Sequence, residues 1–416
     1  MLGVTVWRRL LGVDDRTVVE RVEFDDEVDA VVAHVRPRRL RKRRCGRCGR
    51  RAPGYDQGEG RRRWRALDLG EVRSFVEADA PRVNCAEHGP TVIEVPWARH
   101  AAGHTRAFDD TVAWLAVHTS KTAITELLRV AWATVGAIVN RVVGDARCAV
   151  DPFDGLARIG IDEISYKRGH RYLTVVVDHD SGRLVWAAKG RDKKTLEGFF
   201  DLLGERRCGL IRLVSCDAAE WIGDVVTARC ANATVCLDAF HLVKWVTEAL
   251  DEVRRETWNE ARRCGMRAHA RDLKGARYAL WKNPEDLTER QGAKLAWVAK
   301  VNGRLYRAYL IKEQFRAIIA TKGQQGLEML EAWLAWTARS RIPAFVALGR
   351  RIRKNLPGIQ ATLQHRLSNA LVESTNTKLR LLARVAYGFK EPEHLIALAL
   401  LDRGGYCPPL PGRTRP

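Results

Sequence analysis

Residues 156–165 read Leu-Ala-Arg-Ile-Gly-Ile-Asp-Glu-Ile-Ser, and the fold turns on how they alternate. Successive side chains of a strand point to opposite faces, so Ile159 and Ile161 share one face with Glu163 while Gly160 and Asp162 share the other. Further strand patterns follow at Tyr172 to Val177 and Leu184 to Ala188, separated by the turn Asp178-His-Asp-Ser-Gly182. A helical stretch from Lys194 to Leu203 leads to a fourth strand, Leu210 to Ser215, which runs into Asp217. A helix from Ala218 to Arg229 and a fifth strand, Thr234 to Leu237, then arrive at Asp238. In a twisted sheet the ends of neighbouring strands open into one cleft, so aspartates distant in sequence can converge there.

A third carboxylate comes much later, in Asn369-Ala-Leu-Val-Glu-Ser-Thr-Asn-Thr-Lys-Leu-Arg380. A helix from about Ser368 to Ala386 puts Asn369, Glu373, Asn376 and Arg380 on one polar stripe, and Val372, Leu379, Leu382 and Ala386 on an apolar stripe that docks on the sheet. Asp162, Asp217 and Glu373 so placed could share two divalent cations roughly 3.5–4 Å apart, an arrangement that activates an attacking hydroxyl and stabilises a leaving oxygen at a phosphodiester. Other acids compete. Asp178 and Asp180 lie in a turn, where aspartate bonds its own backbone, and Glu220 reads as a helix-start charge. Asp238 and His241 follow the fifth strand at the same sheet edge and read as supports that orient a ligand or a water, as does Asn376.

The chain has 416 residues and a formal net charge of +21, with a pI near 9.9. That charge argues against an ordinary metabolic enzyme and for a nucleic-acid partner. No long apolar run opens the chain, and Leu395 to Leu401 is too short to span a bilayer, so a cytoplasmic protein with reduced thiols is expected.

Residues 1–105 read as a basic domain with little apolar content of its own. Arg36, Arg38, Arg39, Arg41, Lys42, Arg43, Arg44, Arg47, Arg50, Arg51, Arg61, Arg62, Arg63 and Arg65 stand against only Asp56 and Glu59 and should lie along phosphates. Cys45-Gly-Arg-Cys48 and Cys85-Ala-Glu-His88 supply two ligand pairs at zinc-ribbon spacing. His100 and His104 lack a paired cysteine and read as surface or hinge positions. Residues 106–145 show helical stripes broken at Arg129 to Ala131, a helix-turn-helix pattern whose last helix would turn Trp132, Ala133, Thr134, Ala137, Asn140 and Arg141 towards the major groove. Residues 145–155 read as a linker, 156–240 as the first part of a catalytic core, 241–358 as a helical insertion and 359–405 as its last helices. Tryptophans 245, 258, 281, 297, 333 and 336 in the insertion read as core residues.

The strand and helix order matches that of a ribonuclease H-like domain, which makes the expected class multidomain α/β: zinc ribbon, helix-turn-helix, then a mixed sheet with a large all-helical insertion. On Cys45-x-x-Cys48 with Cys85-x-x-His88, Gly160-Ile-Asp-Glu-Ile-Ser-Tyr-Lys-Arg-Gly-His170, Leu237-Asp-Ala-Phe-His-Leu-Val-Lys-Trp245 and Glu373-Ser-Thr-Asn-Thr-Lys378, nearly the whole chain resembles the bacterial DDE transposases of the ISL-three insertion-sequence family. The resemblance implies Asp162, Asp217 and Glu373 as ligands of Mg²⁺ or Mn²⁺, a structural Zn²⁺, and terminal inverted-repeat DNA bound by the N-terminal modules of a homodimer. Ala239 stands where proline is expected, and Cys85-x-x-His88 replaces a second cysteine pair. A zinc-dependent regulator without catalysis and a nuclease of the same fold that does not join strands are the alternatives.

Overall fold

The computed structural model describes residues 3–38, 43–167, 169–367, 369–386, 388–389 and 391–413. Helix α1 (Val4–Leu10) precedes β1 (Thr17–Asp25), β2 (Ala30–Pro37), β3 (Gly54–Asp56), β4 (Arg61–Leu69), β5 (Val72–Asp79), β6 (Arg82–Cys85) and β7 (Gly89–Val92). One sheet runs β1-β2-β5-β4 and a smaller one β3-β6-β7. Contrary to expectation, this part has an apolar core: Trp64 and Trp97, edge to face at 5.5 Å, are buried with Leu11, Val19, Val35 and Val76. The arginines flanking Trp64 hide that alternation in the sequence. They are also largely engaged within the protein, because β4 sets Arg63 opposite Glu77 of β5. Arg61 and Arg63 each donate to the Glu77 carboxylate, at 2.8 and 2.6 Å, and Arg62 donates to the Ala102 carbonyl at 2.8 Å. Arg65 pairs with Asp68.

Helices α2 (Arg106–His118), α3 (Lys121–Leu128) and α4 (Trp132–Ala149) follow. Thr105 and Ser120 cap the first two by accepting from Phe108 and Ala123 amides, and left-handed Arg129 ends α3. The α3–α4 bend is 102°. Ala131 is the N-cap of α4 and offers no side-chain bond. The helix then continues through Ala149 and ends on extended Val150, so the first half of the expected linker is helical.

The central sheet is built from β8 (Arg158–Lys167), β9 (Arg171–Asp178), β10 (Leu184–Lys189), β11 (Leu213–Cys216) and β12 (Thr234–Leu237), with α5 (Lys193–Leu203), α6 (Glu205–Cys208) and α7 (Glu220–Arg229) between. Its order is β10-β9-β8-β11-β12. Pairings among β8, β9 and β10 are antiparallel, and those of β11 with β8 and β12 are parallel. Helices α8 (Ala239–Arg263), α9 (Arg267–Gly275), α10 (Arg277–Trp281), α11 (Glu289–Val301), α12 (Gly303–Thr321), α13 (Gly323–Arg339) and α14 (Pro343–Lys354) form the insertion. Trp245 and Trp333 are buried in its core; Trp258, Trp297 and Trp336 pack against it. Helices α15 (Leu356–His365), α16 (Ala370–Val385) and α17 (Pro392–Arg403) return to the sheet, where the Thr362 hydroxyl donates to the Leu237 carbonyl at 2.7 Å.

Val372, Leu379 and Leu382 of α16 are buried as expected. The helix lies so close to β8 that a Cβ on Gly160 would meet Val372 Cγ2 at 2.3 Å and His179 Nε2 at 2.9 Å. Gly160→Ala should therefore destabilise by about 1–3 kcal/mol, the range for overpacking. Thermal denaturation should show a lower melting temperature, recovered in part by adding Val372→Ala.

Candidate active site and metal centres

Cys45 and Cys48 lie in a tight knuckle in which the Arg47 amide donates to Cys45 Sγ at 3.4 Å. Cys85 ends β6 and His88 lies in the turn that leads to β7. The separations are 3.8 Å for Cys45 Sγ to His88 Nδ1, 3.7 Å for Cys48 Sγ to Cys85 Sγ and 3.6 Å for Cys85 Sγ to His88 Nδ1. A tetrahedral zinc with bonds of roughly 2.3 Å to sulfur has ligand–ligand edges of about 3.7 Å, so the four residues fit one. The His88 ring, with the Glu87 and His88 amides, brings the Cys85 thiol down to about 6, which favours the thiolate a metal needs. His100 and His104 stay outside this group. His104 is no surface residue; it stacks on Phe108 at 4.8 Å, and burial together with Arg141 lowers its pKa to about 4. The purified chain should carry about one zinc, measurable by elemental analysis, and Cys45→Ser or Cys85→Ser should remove it and lower the melting temperature.

Strand register builds the second site. Gly160 pairs with Ser215 and Cys216 with Leu237, so Asp162 is two residues beyond the first pairing on β8, as Asp217 is on the β11 side, and Asp238 follows Leu237. Asp217 and Asp238 thus follow the same end of β11 and β12, level with Asp162 midway along β8. His241 Nδ1 lies 2.9 Å from both Asp217 Oδ1 and Asp238 Oδ2. Its one N–H bonds Asp238, leaving Asp217 Oδ1 buried without a hydrogen bond. Those two carboxylates raise His241 to about 10, an imidazolium at neutral pH. Burial, then the charge of Asp217, pushes the Asp162 carboxyl up to about 7.

Asn376 reaches this cluster from α16 and donates to Asp162 Oδ2 at 2.5 Å. Glu373, one turn earlier, is exposed in a cleft of about 430 Å³ that also borders Asp238 and Asn369. Among the described residues Asp217, Asp238 and His241 bring ligand atoms within 4.8 Å of one another, whereas Asp162 and Glu373 stand outside that group. Buried acceptors without partners at Asp217 Oδ1 and Asn376 Oδ1, beside three carboxylates, suit a hard cation. Missed by sequence reasoning is a buried chain in which His179 Nε2 bonds Ser215 Oγ at 2.7 Å and that hydroxyl donates to Asn369 Oδ1 at 2.8 Å. A serine amid the apolar residues of β11 was its one signal.

The competing acids are occupied elsewhere. Asp178 accepts from the Asp180 and Ser181 amides, Asp180 pairs with Arg158, and Glu220 pairs with Lys354. Towards DNA, Trp132 is exposed beneath the Lys121 ammonium, 4.7 Å from its ring, and Thr134 is half-buried. Asn140 is exposed but engaged, and Arg141 does not face outward as expected. Asn140 Nδ2 is 3.1 Å from His394 Nδ1 of α17, and Arg141 donates to the fully buried Asp109, whose charge needs it. Arg43 is exposed; Arg44 turns in to the Gly49 carbonyl at 2.7 Å; Arg41 and Lys42 lie outside the described residues.

A cation binding here must displace the Asp162 proton below pH 7. Mn²⁺ affinity measured by calorimetry should therefore rise up to about tenfold per pH unit until about 7, and Asp162→Asn should flatten that part of the profile.

Residues 159–399 match the ISL3 DDE transposase model, 93–143 the helix-turn-helix domain of transposase family ISL3, and 41–88 the zinc-finger of transposases IS204/IS1001/IS1096/IS1165. The transposase for insertion sequence element IS1557 of Mycobacterium tuberculosis, strains CDC 1551 and H37Rv, is 59% identical over 99% of this chain and 98% of its own length. The transposase for IS1001 of Bordetella parapertussis is 25% identical over 80% of this chain and 82% of its own. Among the described residues no single helix is long and apolar enough to cross a membrane.

Proposed function

The chain belongs to the ISL3 family of transposases and is a DDE-type enzyme; from that premise we propose that it binds the terminal inverted repeats of its insertion sequence, cleaves a strand at each end and joins the freed 3′ hydroxyl to another strand. The observation that carries this reading is the matched register of Asp162 and Asp217 beneath the helix that bears Glu373. Held by these three carboxylates, magnesium or manganese ions would polarise the attacking oxygen and neutralise the leaving one. The protein's own part is positioning. Asn376 orients Asp162, and His241 holds Asp217 and Asp238 together. Asp238 and His241 serve as supports to the three acids.

The zinc ribbon at Cys45, Cys48, Cys85 and His88 would fix the N-terminal module, and the exposed start of α4, at Trp132 and Thr134, would meet base edges. Arg43, with Arg41 and Lys42, is assigned to phosphates. Two ends must be paired, so the working form is a homodimer on DNA in the bacterial cytoplasm.

Asp162→Asn, Asp217→Asn and Glu373→Gln keep size and remove the charge a hard cation requires. Each should retain binding to a labelled terminal-repeat duplex and lose strand cleavage in Mg²⁺ by about 10³-fold or more, as groups that act as one unit do. Asp180→Asn should stay active. Robust cleavage by any of the three removes that residue from the site; an Asp238→Asn loss as deep as that of Asp217→Asn makes Asp238 a ligand.

A further inference from the structure

Phe240 sits in the first turn of α8, two residues after Asp238, with 61% of its surface exposed. Its ring stands edge-on to His241, with centroids 5.6 Å apart, and lines the same cleft as Glu373. Stability does not explain it, since an apolar ring left in water contributes little and phenylalanine is an ordinary helix former. Across the cleft lies Lys322, which joins α12 to α13 in the left-handed region at φ +54. That conformation is strained for a lysine, and strain of this kind collects at ligand-binding positions. Among the described residues Lys322 has no carboxylate partner within ion-pair distance. The cleft, about 430 Å³, thus joins a flat aromatic face, a cation, the candidate catalytic acid Glu373 and the supporting Asp238. Aromatic faces take unpaired bases of any identity, and turning a base out of the duplex stack costs free energy, least where it is already unpaired.

We infer that Phe240 is a stacking platform for a nucleotide turned out of the duplex at the element end, and that Lys322 contacts a phosphate of the same strand. This rests on the transposase reading above and adds a position-specific recognition step to it. No bond is made or broken in this step.

The test uses the full-length protein and terminal-repeat duplexes carrying a single abasic position at each nucleotide near the end. Dissociation constants, which do not depend on strand breakage, are measured for wild type, Phe240→Ala and Phe240→Tyr. Phe240→Ala should weaken binding about tenfold, and base removal at one position should weaken wild type by a similar factor, within the range of base–aromatic stacking. The two changes together should cost no more than either alone, and Phe240→Tyr should retain wild-type behaviour. Lys322→Gln should reduce the salt dependence of binding by about one ion. Additive losses at every position, or a Phe240→Ala affinity within twofold of wild type, overturn the stacking assignment. An unchanged salt slope overturns that of Lys322. Coupling in binding without strand cleavage by the wild type would instead fault the catalytic reading and leave this one standing.

Discussion

Val372 rests against the backbone of Gly160, and the candidate active site depends on that contact. Only a glycine lets α16 approach β8 so closely. The buried Asn369–Ser215–His179 chain fixes the same helix end to β11, with partners whose loss would leave polar groups stranded in the core. Position follows from there. With the start of α16 held on two strands, Asn376 reaches Asp162 and Glu373 overlooks the cleft, although the whole helical insertion separates them in sequence from the sheet.

Carboxylates gathered this tightly repel, and the protein tolerates them by distributing compensation. His241 carries a positive charge between Asp217 and Asp238, while Asp162, raised by burial and by the charge of Asp217, keeps a proton up to about pH 7 and takes an amide hydrogen from Asn376. The imidazolium and the Asp162 proton offset part of the carboxylates' repulsion without a cation, yet Asp217 Oδ1 and Asn376 Oδ1 remain buried without a hydrogen bond.

Short apolar runs located the sheet, since β9 from Leu173 to Asp178 and β10 from Leu184 to Trp186 are buried on both faces, and the strand patterns led to Asp162 on β8 and to Asp217 and Asp238 at the ends of β11 and β12. The α16 stripe was legible because Val372, Leu379 and Leu382 recur at helical spacing. What such patterns could not convey was partnership. The arginines of β4 looked like a phosphate-binding run, but Glu77 and the Ala102 carbonyl, distant in sequence, had already engaged three of them. Arg141 looked outward on a helical wheel until Asp109 proved to be fully buried beneath it. The apolar core of residues 11–102 was obscured by the same charge, since Trp64 sits among arginines whose stems cover it.

Asn140 and Arg141 bear on how recognition is joined to chemistry. The core of α2, α3 and α4 does not close on itself; Phe108, Ile138 and Val142 share one apolar cluster with Leu173 and Val175 of the sheet and with Leu379 and Leu395 of the last helices. The Asn140–His394 contact crosses the same boundary. A reader domain on a flexible tether would have to search for its catalytic partner after binding, because a linker leaves their geometry free. A continuous packed core removes that freedom, since interiors resist displacement. On the function proposed above, DNA bound at the exposed start of α4 would lie at a set distance and angle from the Glu373 cleft, so that the fold itself would select the scissile phosphate.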